Sequence, residues 1–204
     1  MKRVSTTLAV LAIAGLSAGI LSLTENRTGN AAPNAGATAV FAGGCFWSVE
    51  KTFDAVDGVT ETVSGYAGGT KPNPTYGDHE GYVEAVKVIY DPAKVSYAKL
   101  LDAYWHSIDP FNARGQFCDE GPAYRTVIFT GTEDEVQQAK ATKQEISDRF
   151  RQGVTTDVKP ATTFVAAEDY HQNYHTLNPV RYELYKRGCG RVGRLAEIWG
   201  EKSS

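Results

Sequence analysis

Methionine is absent from the 204-residue chain after Met1, and cysteine occurs only at Cys45, Cys118 and Cys189. Three cysteines are too few, and an odd number, for a disulfide scaffold. The lack of methionine agrees with an oxidising surrounding, without requiring one, because methionine sulfoxide disrupts packing. Neither sign of charge is in excess: 21 cations face 24 anions, a formal net charge of −3. That excludes the basic surface a nucleic-acid partner needs. Of four histidines, only His171 and His175 stand close, at i, i+4. No cysteine or carboxylate motif joins them at metal-ligand spacing, so no bound metal is expected. Beyond residue 37 there is no internal repeat or low-complexity block. What is present is 42% hydrophobic and 22% charged. That composition is globular and excludes a disordered or collagen-like chain.

Two cations in Met1–Arg3 precede residues 4–23, which carry no charge. A basic start before an apolar run reads as an export signal. The run is rich in Ala, Gly, Ser and Thr, a marginal bilayer span, since about 20 apolar residues cross the hydrocarbon core. Residues 1–23 are therefore an export signal or a signal anchor, and the expected destination is the periplasm. The chain is membrane-bound only if the signal is retained. Residues 24–37 are small, polar and Pro/Gly-containing, and read as a flexible linker. Residues 38–204 read as a single domain with a C-terminal tail.

Residues 38–42 form a short apolar strand, broken by Gly43 and Gly44. From residue 45 to 56, Phe46, Val49, Phe53 and Val56 recur at helical spacing. Residues 59–66 and 83–90 alternate as strands, with a turn-rich loop at 68–78 between them. Ser96 caps a helix through residue 107. A strand at 124–130, a helix at 133–151 and a last strand at 161–166 follow, then an aromatic, partly helical tail with no strong pattern after Arg187. Strand, helix, strand, strand, helix, strand is the split βαβ order. The expected fold is α+β: a two-layer ferredoxin-like sandwich with a mixed sheet and extra helices.

Cys45 follows a strand and a Gly–Gly turn and opens a helix. Free backbone N–H groups and the positive end of the helix dipole favour a thiolate there, so a lowered pKa is expected. Phe46 and Trp47 beside it suit an apolar cup.

The segment FAGGCFWSVEKTF resembles the active site of the A-type peptide methionine sulfoxide reductases. The family signature is Gly-Cys-Phe-Trp, usually followed by Gly, with Glu three residues after Trp. Gly44 to Trp47 match, Ser48 replaces the usual Gly, and Glu50 follows. Similar segments come in order: GYAGG at 65–69, PNPTY at 72–76, YVEAVKVIYDP at 82–92, LLDAYWHSIDP at 100–110, GQFCDEGPAYRT at 115–126 and AEDYHQNY at 167–174. Tyr82–Val83 replace the common His–Ala. The resemblance covers about residues 40–174, with a looser tail.

It implies reduction of methionine S-sulfoxide, free or in oxidised proteins under repair. Cys45 would attack the sulfoxide sulfur and be left as a sulfenic acid. Glu84 is the implied acid and must be desolvated to stay neutral near pH 7. The alternating VEAVKV pattern alone reads it as an exposed strand charge. Tyr76 and Tyr124 match the phenols that donate to the sulfoxide oxygen. Asp119 matches a carboxylate that helps polarise or hold water, and Phe46 and Trp47 seat the methyl group. Cys189, between glycines in RGCGRVG, reads as the thiol that forms a disulfide with Cys45. Cys118 is a reserve or bystander. A thioredoxin-like protein or dithiothreitol would reduce that disulfide. No bound cofactor is expected, and the chain reads as a monomer.

Two other readings use the same residues. One is a Cys–His hydrolase with Cys45 as nucleophile and His171 or His106 as base. The other is an exported binding module in which Cys118 and Cys189 form a structural bridge.

Overall fold

The computed structural model describes residues 36–200. The export segment 1–23 and linker residues 24–35 lie outside them. Ala37, read as the last linker residue, already belongs to a strand. β1 (Ala37–Gly43) leads into α1 (Phe46–Asp54), and β2 (Val59–Ala67) and β3 (Val83–Tyr90) lead into α2 (Tyr97–Trp105). A small hairpin of β4 (Gly115–Gln116) and β5 (Asp119–Glu120) precedes β6 (Thr126–Thr130). The four long strands pair antiparallel in the order β6-β1-β3-β2. That is the ferredoxin-like sheet, with strand alternation presenting Phe41, Val86, Val88 and Ile128 to the helices. The opposite face carries smaller residues, Ala42, Ala67 and Ala85, with Val127 and Phe129.

Helical spacing explains the other layer. Phe46, Val49 and Phe53 bury one stripe of α1, and Leu100, Leu101 and Tyr104 one of α2. Phe53 and Tyr104 both stack on Phe41, at 4.9 and 5.1 Å between ring centroids. Each such side chain, fully buried, contributes about 1.5–3 kcal/mol. Ser96 caps α2 by accepting the Lys99 N–H at 3.2 Å. Thr132 caps α3 (Glu133–Phe150) through the Glu135 N–H in the same way.

Three expectations need correction. The expected strand at 124–130 starts at Thr126, because Pro122–Tyr124 form a 3₁₀ turn. The strand expected at 161–166 is only β8 (Phe164–Ala166), which crosses to pair with β2, and an unexpected β7 (Asp157–Pro160) before it pairs parallel with β6. These are the sheet edges, where no residue is fully buried and periodicity is weak. The tail is helical throughout, with α4 (Tyr174–Leu177), α5 (Pro179–Gly188) and α6 (Arg191–Trp199). Gly190, at φ 68°, turns the chain between the last two. Arg191, Leu195 and Ile198 of α6 are buried, and Trp199 Nε1 donates to the Ile108 carbonyl at 3.1 Å.

Candidate active site

Cys45 is the N-cap residue of α1 and is 6% exposed. Gly44 lets it sit there. Its φ is 81°, and a Cβ would overlap Gln116 Cβ. Gln116 is wholly buried, and its side-chain amide holds both the N–H and the carbonyl of Asp109 at 2.8 Å. The β4–β5 hairpin is thus pressed against the glycine preceding Cys45.

Glu84 comes from β3 and is 1% exposed. Its Oε2 accepts the N–H of Phe46 at 3.0 Å, so a carboxyl takes the first free donor of α1. Burial lifts Glu84 to about 8, opposed by that hydrogen bond and helped by the Asp119 charge. At pH 7 it is mostly protonated.

The Cys45 thiol is not held low, as its place at a helix start led us to expect. Burial pushes it up to about 12, and the Glu84 charge adds to this. The Tyr185 hydrogen bond and the Arg191 charge act in the opposite direction, while Asp119 raises it further. The desolvation of a fully enclosed sulfur outweighs the helix terminus, whose leading N–H already serves Glu84. Cys45 rests as a thiol.

Phe46 is buried, with His171 4.8 Å and Tyr76 6.5 Å from it, ring to ring. Trp47 stacks on Tyr174 at 3.7 Å and donates Nε1 to His171 Nδ1 at 3.1 Å. Tyr76 is 41% exposed and is held by its N–H on Glu168 Oε1 at 2.9 Å. The Tyr76 and Tyr124 hydroxyls are hydrogen-bonded, and burial with the Glu84 charge raises both phenols. They remain proton donors. Asp119 is half-buried and raised by burial, while Tyr185 and Arg191 hold it down. The expected residues Cys45, Phe46, Trp47, Tyr76, Glu84, Asp119 and Tyr124 thus form one connected cluster.

Cys189 stands apart from its expected partner. It is joined to Cys118, with Cα atoms 4.8 Å apart, and Cys45 is free. Cys118 lies at the exposed tip of the β4–β5 hairpin, beside Asp119, and Cys189 caps the C-terminus of α5.

Tyr185, Arg191 and Ser48 complete the site, and the sequence reading had no role for the first two. Tyr185 donates to Asp119 Oδ2 and is hydrogen-bonded to Cys45. It lies one turn before Cys189 on the same side of α5. Arg191, 3% exposed, donates Nη1 to the Ser107 carbonyl at 2.8 Å and lies over the Phe117 ring at 4.1 Å. Ser48, where the family usually has Gly, accepts the Tyr182 hydroxyl at 3.3 Å and so ties α1 to α5. The only available hint was the aromatic character of the tail.

Neither candidate histidine serves as a base for Cys45. His171 Nδ1 is occupied by the Trp47 indole, and burial lowers the ring's pKa. His106 bonds the Asp102 carbonyl at 2.8 Å and packs on Trp199.

Comparison with known proteins agrees with this geometry. Residues 37–203 match the family model described as peptide methionine sulfoxide reductase. The chain is 47% identical over 167 residues to peptide methionine sulfoxide reductase MsrA 2 of Rhizobium meliloti (strain 1021), covering 81% of this chain and 84% of that one. It is 44% identical over 197 residues to MsrA 2 of Caulobacter vibrioides, covering 94% and 95%. Among solved structures it resembles Mxr1 from Saccharomyces cerevisiae in reduced form, with a TM-score of 0.66, 26% identity and coverage of 73% and 89%.

Proposed function

The chain belongs to the peptide methionine sulfoxide reductase family, and from that premise we propose how its own residues reduce methionine sulfoxide, and which epimer they take. The carrying observation is the Glu84 carboxyl seated on the Phe46 N–H beside the Cys45 thiol. A sulfoxide has an electrophilic sulfur and a basic oxygen. It needs a soft nucleophile and an acid at one place. Cys45 supplies the first, and Glu84, mostly protonated at neutral pH, the second. The methyl group rests on Phe46 and Trp47, and the Tyr76 and Tyr124 hydroxyls point hydrogen bonds at the oxygen. The S epimer is the one that the family resemblance implies.

Attack leaves Cys45 as a sulfenic acid and releases methionine. Cys189, one turn beyond Tyr185, then forms a disulfide with Cys45. Cys118 takes Cys189 over, which frees Cys45 and gives the bridge seen between Cys118 and Cys189. Cys118 is exposed, so a thioredoxin-like dithiol reaches that bridge more easily than one at the buried Cys45. Residues 1–23 support export, which fractionation of the full chain would test. The activity test is loss of the S but not the R epimer of methionine sulfoxide, dependent on dithiothreitol. Equal consumption of both epimers would refute the S assignment.

A further inference from the structure

Two protons move when a thiol reduces a sulfoxide, and two carboxyl groups lie within reach of Cys45. Glu84 is on the oxygen side, with the paired phenols Tyr76 and Tyr124. Asp119 is joined to Cys45 through a single hydroxyl. Tyr185 donates to Asp119 Oδ2 and also meets the Cys45 sulfur. Its ring is fixed edge-on to Trp47 at 5.9 Å and lies 6.4 Å from Tyr182. Asp119 is fixed by β5, opposite Gln116. The result is a continuous path from Cys45 Sγ through the Tyr185 hydroxyl to Asp119.

We propose that Tyr185 is a catalytic residue that passes the Cys45 proton to Asp119 as the sulfur attacks, and passes it back when Cys189 resolves the sulfenic acid. The proposal rests on the reductase reading and deepens it. In the first step the Cys45 S–H bond breaks. That proton moves to the Tyr185 oxygen while the phenol's own proton moves to Asp119. The Cys45 sulfur bonds the substrate sulfur, and the sulfoxide oxygen takes the Glu84 proton. Transfer of that oxygen to Cys45 oxidises its sulfur by two electrons and reduces the substrate sulfur by two. Asp119 is left protonated and Glu84 ionised. In the second step Cys189 attacks Cys45 and the S–O bond breaks. The oxygen leaves as water with the proton from Asp119 through Tyr185. The Cys189 proton reloads Glu84 through water that enters the place methionine has left. The sum is two thiols and a sulfoxide giving a disulfide, a thioether and water.

The surroundings suit this direction of transfer. Cys45 faces Glu84 from β3, Asp119 from β5, Tyr185 from α5 and Arg191 from α6. Arg191 favours both the thiolate and the ionised Asp119 that must accept the proton. Burial denies the thiol a direct exit to water. The path through Tyr185 supplies one.

The experiment uses reduced protein and one equivalent of methionine S-sulfoxide, measuring methionine released in a single turnover. Tyr185→Phe keeps the ring against Trp47 and removes only the hydroxyl. It should slow release by about 10²-fold, the lower end for acid–base assistance. Asp119→Asn should do the same, and the double variant should be no slower than the slower single one. Tyr185→Phe should also move the pH profile of Cys45 alkylation by iodoacetamide upward. Release within threefold of wild type in Tyr185→Phe, or losses that multiply in the double variant, would overturn the relay. Alkylation needs no sulfoxide. An unchanged profile therefore refutes the relay, whereas a wild-type protein inert to sulfoxide refutes the reaction.

Discussion

Glu84 Oε2 accepts the backbone N–H of Phe46 at 3.0 Å, so one carboxyl both caps the helix that Cys45 opens and faces its thiol. The hydrogen bond alone would hold the acid low. Burial overrides it and leaves Glu84 near 8.

Glu84→Gln should therefore lower the single-turnover rate by about 10²–10⁴-fold, the usual contribution of a positioned proton donor. Glu84→Asp should cost less, since it keeps the proton. In the wild type the acid form is lost as pH rises through about 8, so the rate should fall above that pH. Rapid-mix measurement of sulfenic acid formation between pH 6 and 9 checks both. A Glu84→Gln protein that forms the sulfenic acid at the wild-type rate would remove Glu84 from the chemistry.

Glu84 also shows how much the sequence carried. Val83–Tyr90 was readable to the residue from its alternation. Glu84 shares parity with Val86 and Val88, which face the helices, and this runs against the reading of the alternating pattern as an exposed strand charge. The family motif resolved that conflict in the right direction. The split βαβ core was legible because both of its periods are strong. β7 was not, because an exposed edge strand has no buried face to alternate. α6 was missed although Leu195, Ile198 and Trp199 recur at helical spacing, because Gly188, Gly190 and Gly193 made the segment read as a mobile tail. The Cys45 pKa was misjudged because a helix start is visible locally and desolvation is not. Tyr185 comes to Cys45 across 140 residues of chain, and no local pattern announces such a contact.

Glu50 offers a test away from the chemistry. It is wholly buried on α1, faced by Asp54 on the same helix, by Ser64 of β2, and by His175 with Nδ1 3.8 Å from its Oε2. Burial lifts it from its ordinary 4.5 to about 7. The folded state therefore holds a proton that the unfolded chain has lost. Stability from this group is full below pH 4.5 and is lost as pH rises through 7. Glu50→Gln should match wild type at pH 5 and exceed it by about 1–3 kcal/mol at pH 8. Urea unfolding at the two pH values decides it, and equal stability of the two proteins at pH 8 counts against the buried proton.

Gly44 and Gly81 separate strain from overlap. Both sit at positive φ, 81° and 83°. A Cβ at Gly81 meets nothing within 4 Å, whereas one at Gly44 collides with Gln116. Gly81→Ala should cost about 1 kcal/mol for backbone strain alone. Gly44→Ala should cost about 2–4 kcal/mol, because it adds overpacking. It should also slow reduction, since the hairpin it pushes carries Asp119. Equal losses for the two variants would mean that the hairpin is not pressed on the glycine.

The cysteine pair decides between a working bridge and a structural one. Cys118 and Cys189 are 71 residues apart, and closing such a loop would stabilise a purely structural bridge by about 4 kcal/mol. A structural bridge stays closed whatever happens at Cys45. A working one opens and closes with each turnover. Fully reduced protein has three thiols, and one equivalent of methionine sulfoxide should leave one. Peptide mapping should find that thiol on Cys45 and the bridge between Cys118 and Cys189. Cys45→Ser should leave the fold intact but release no methionine. Cys189→Ser should stop at the Cys45 sulfenic acid, trapped by a sulfenic-acid reagent and drifting to sulfinic acid. Cys118→Ser should accumulate a Cys45–Cys189 disulfide after one turnover. It should still cycle on dithiothreitol, which is small, but slowly on a thioredoxin-like protein, because the exposed sulfur of the pair is gone and Cys45 is buried. Wild-type cycling of Cys118→Ser on both reductants would return Cys118 to a bystander. Two thiols remaining after the single turnover would show that neither disulfide forms.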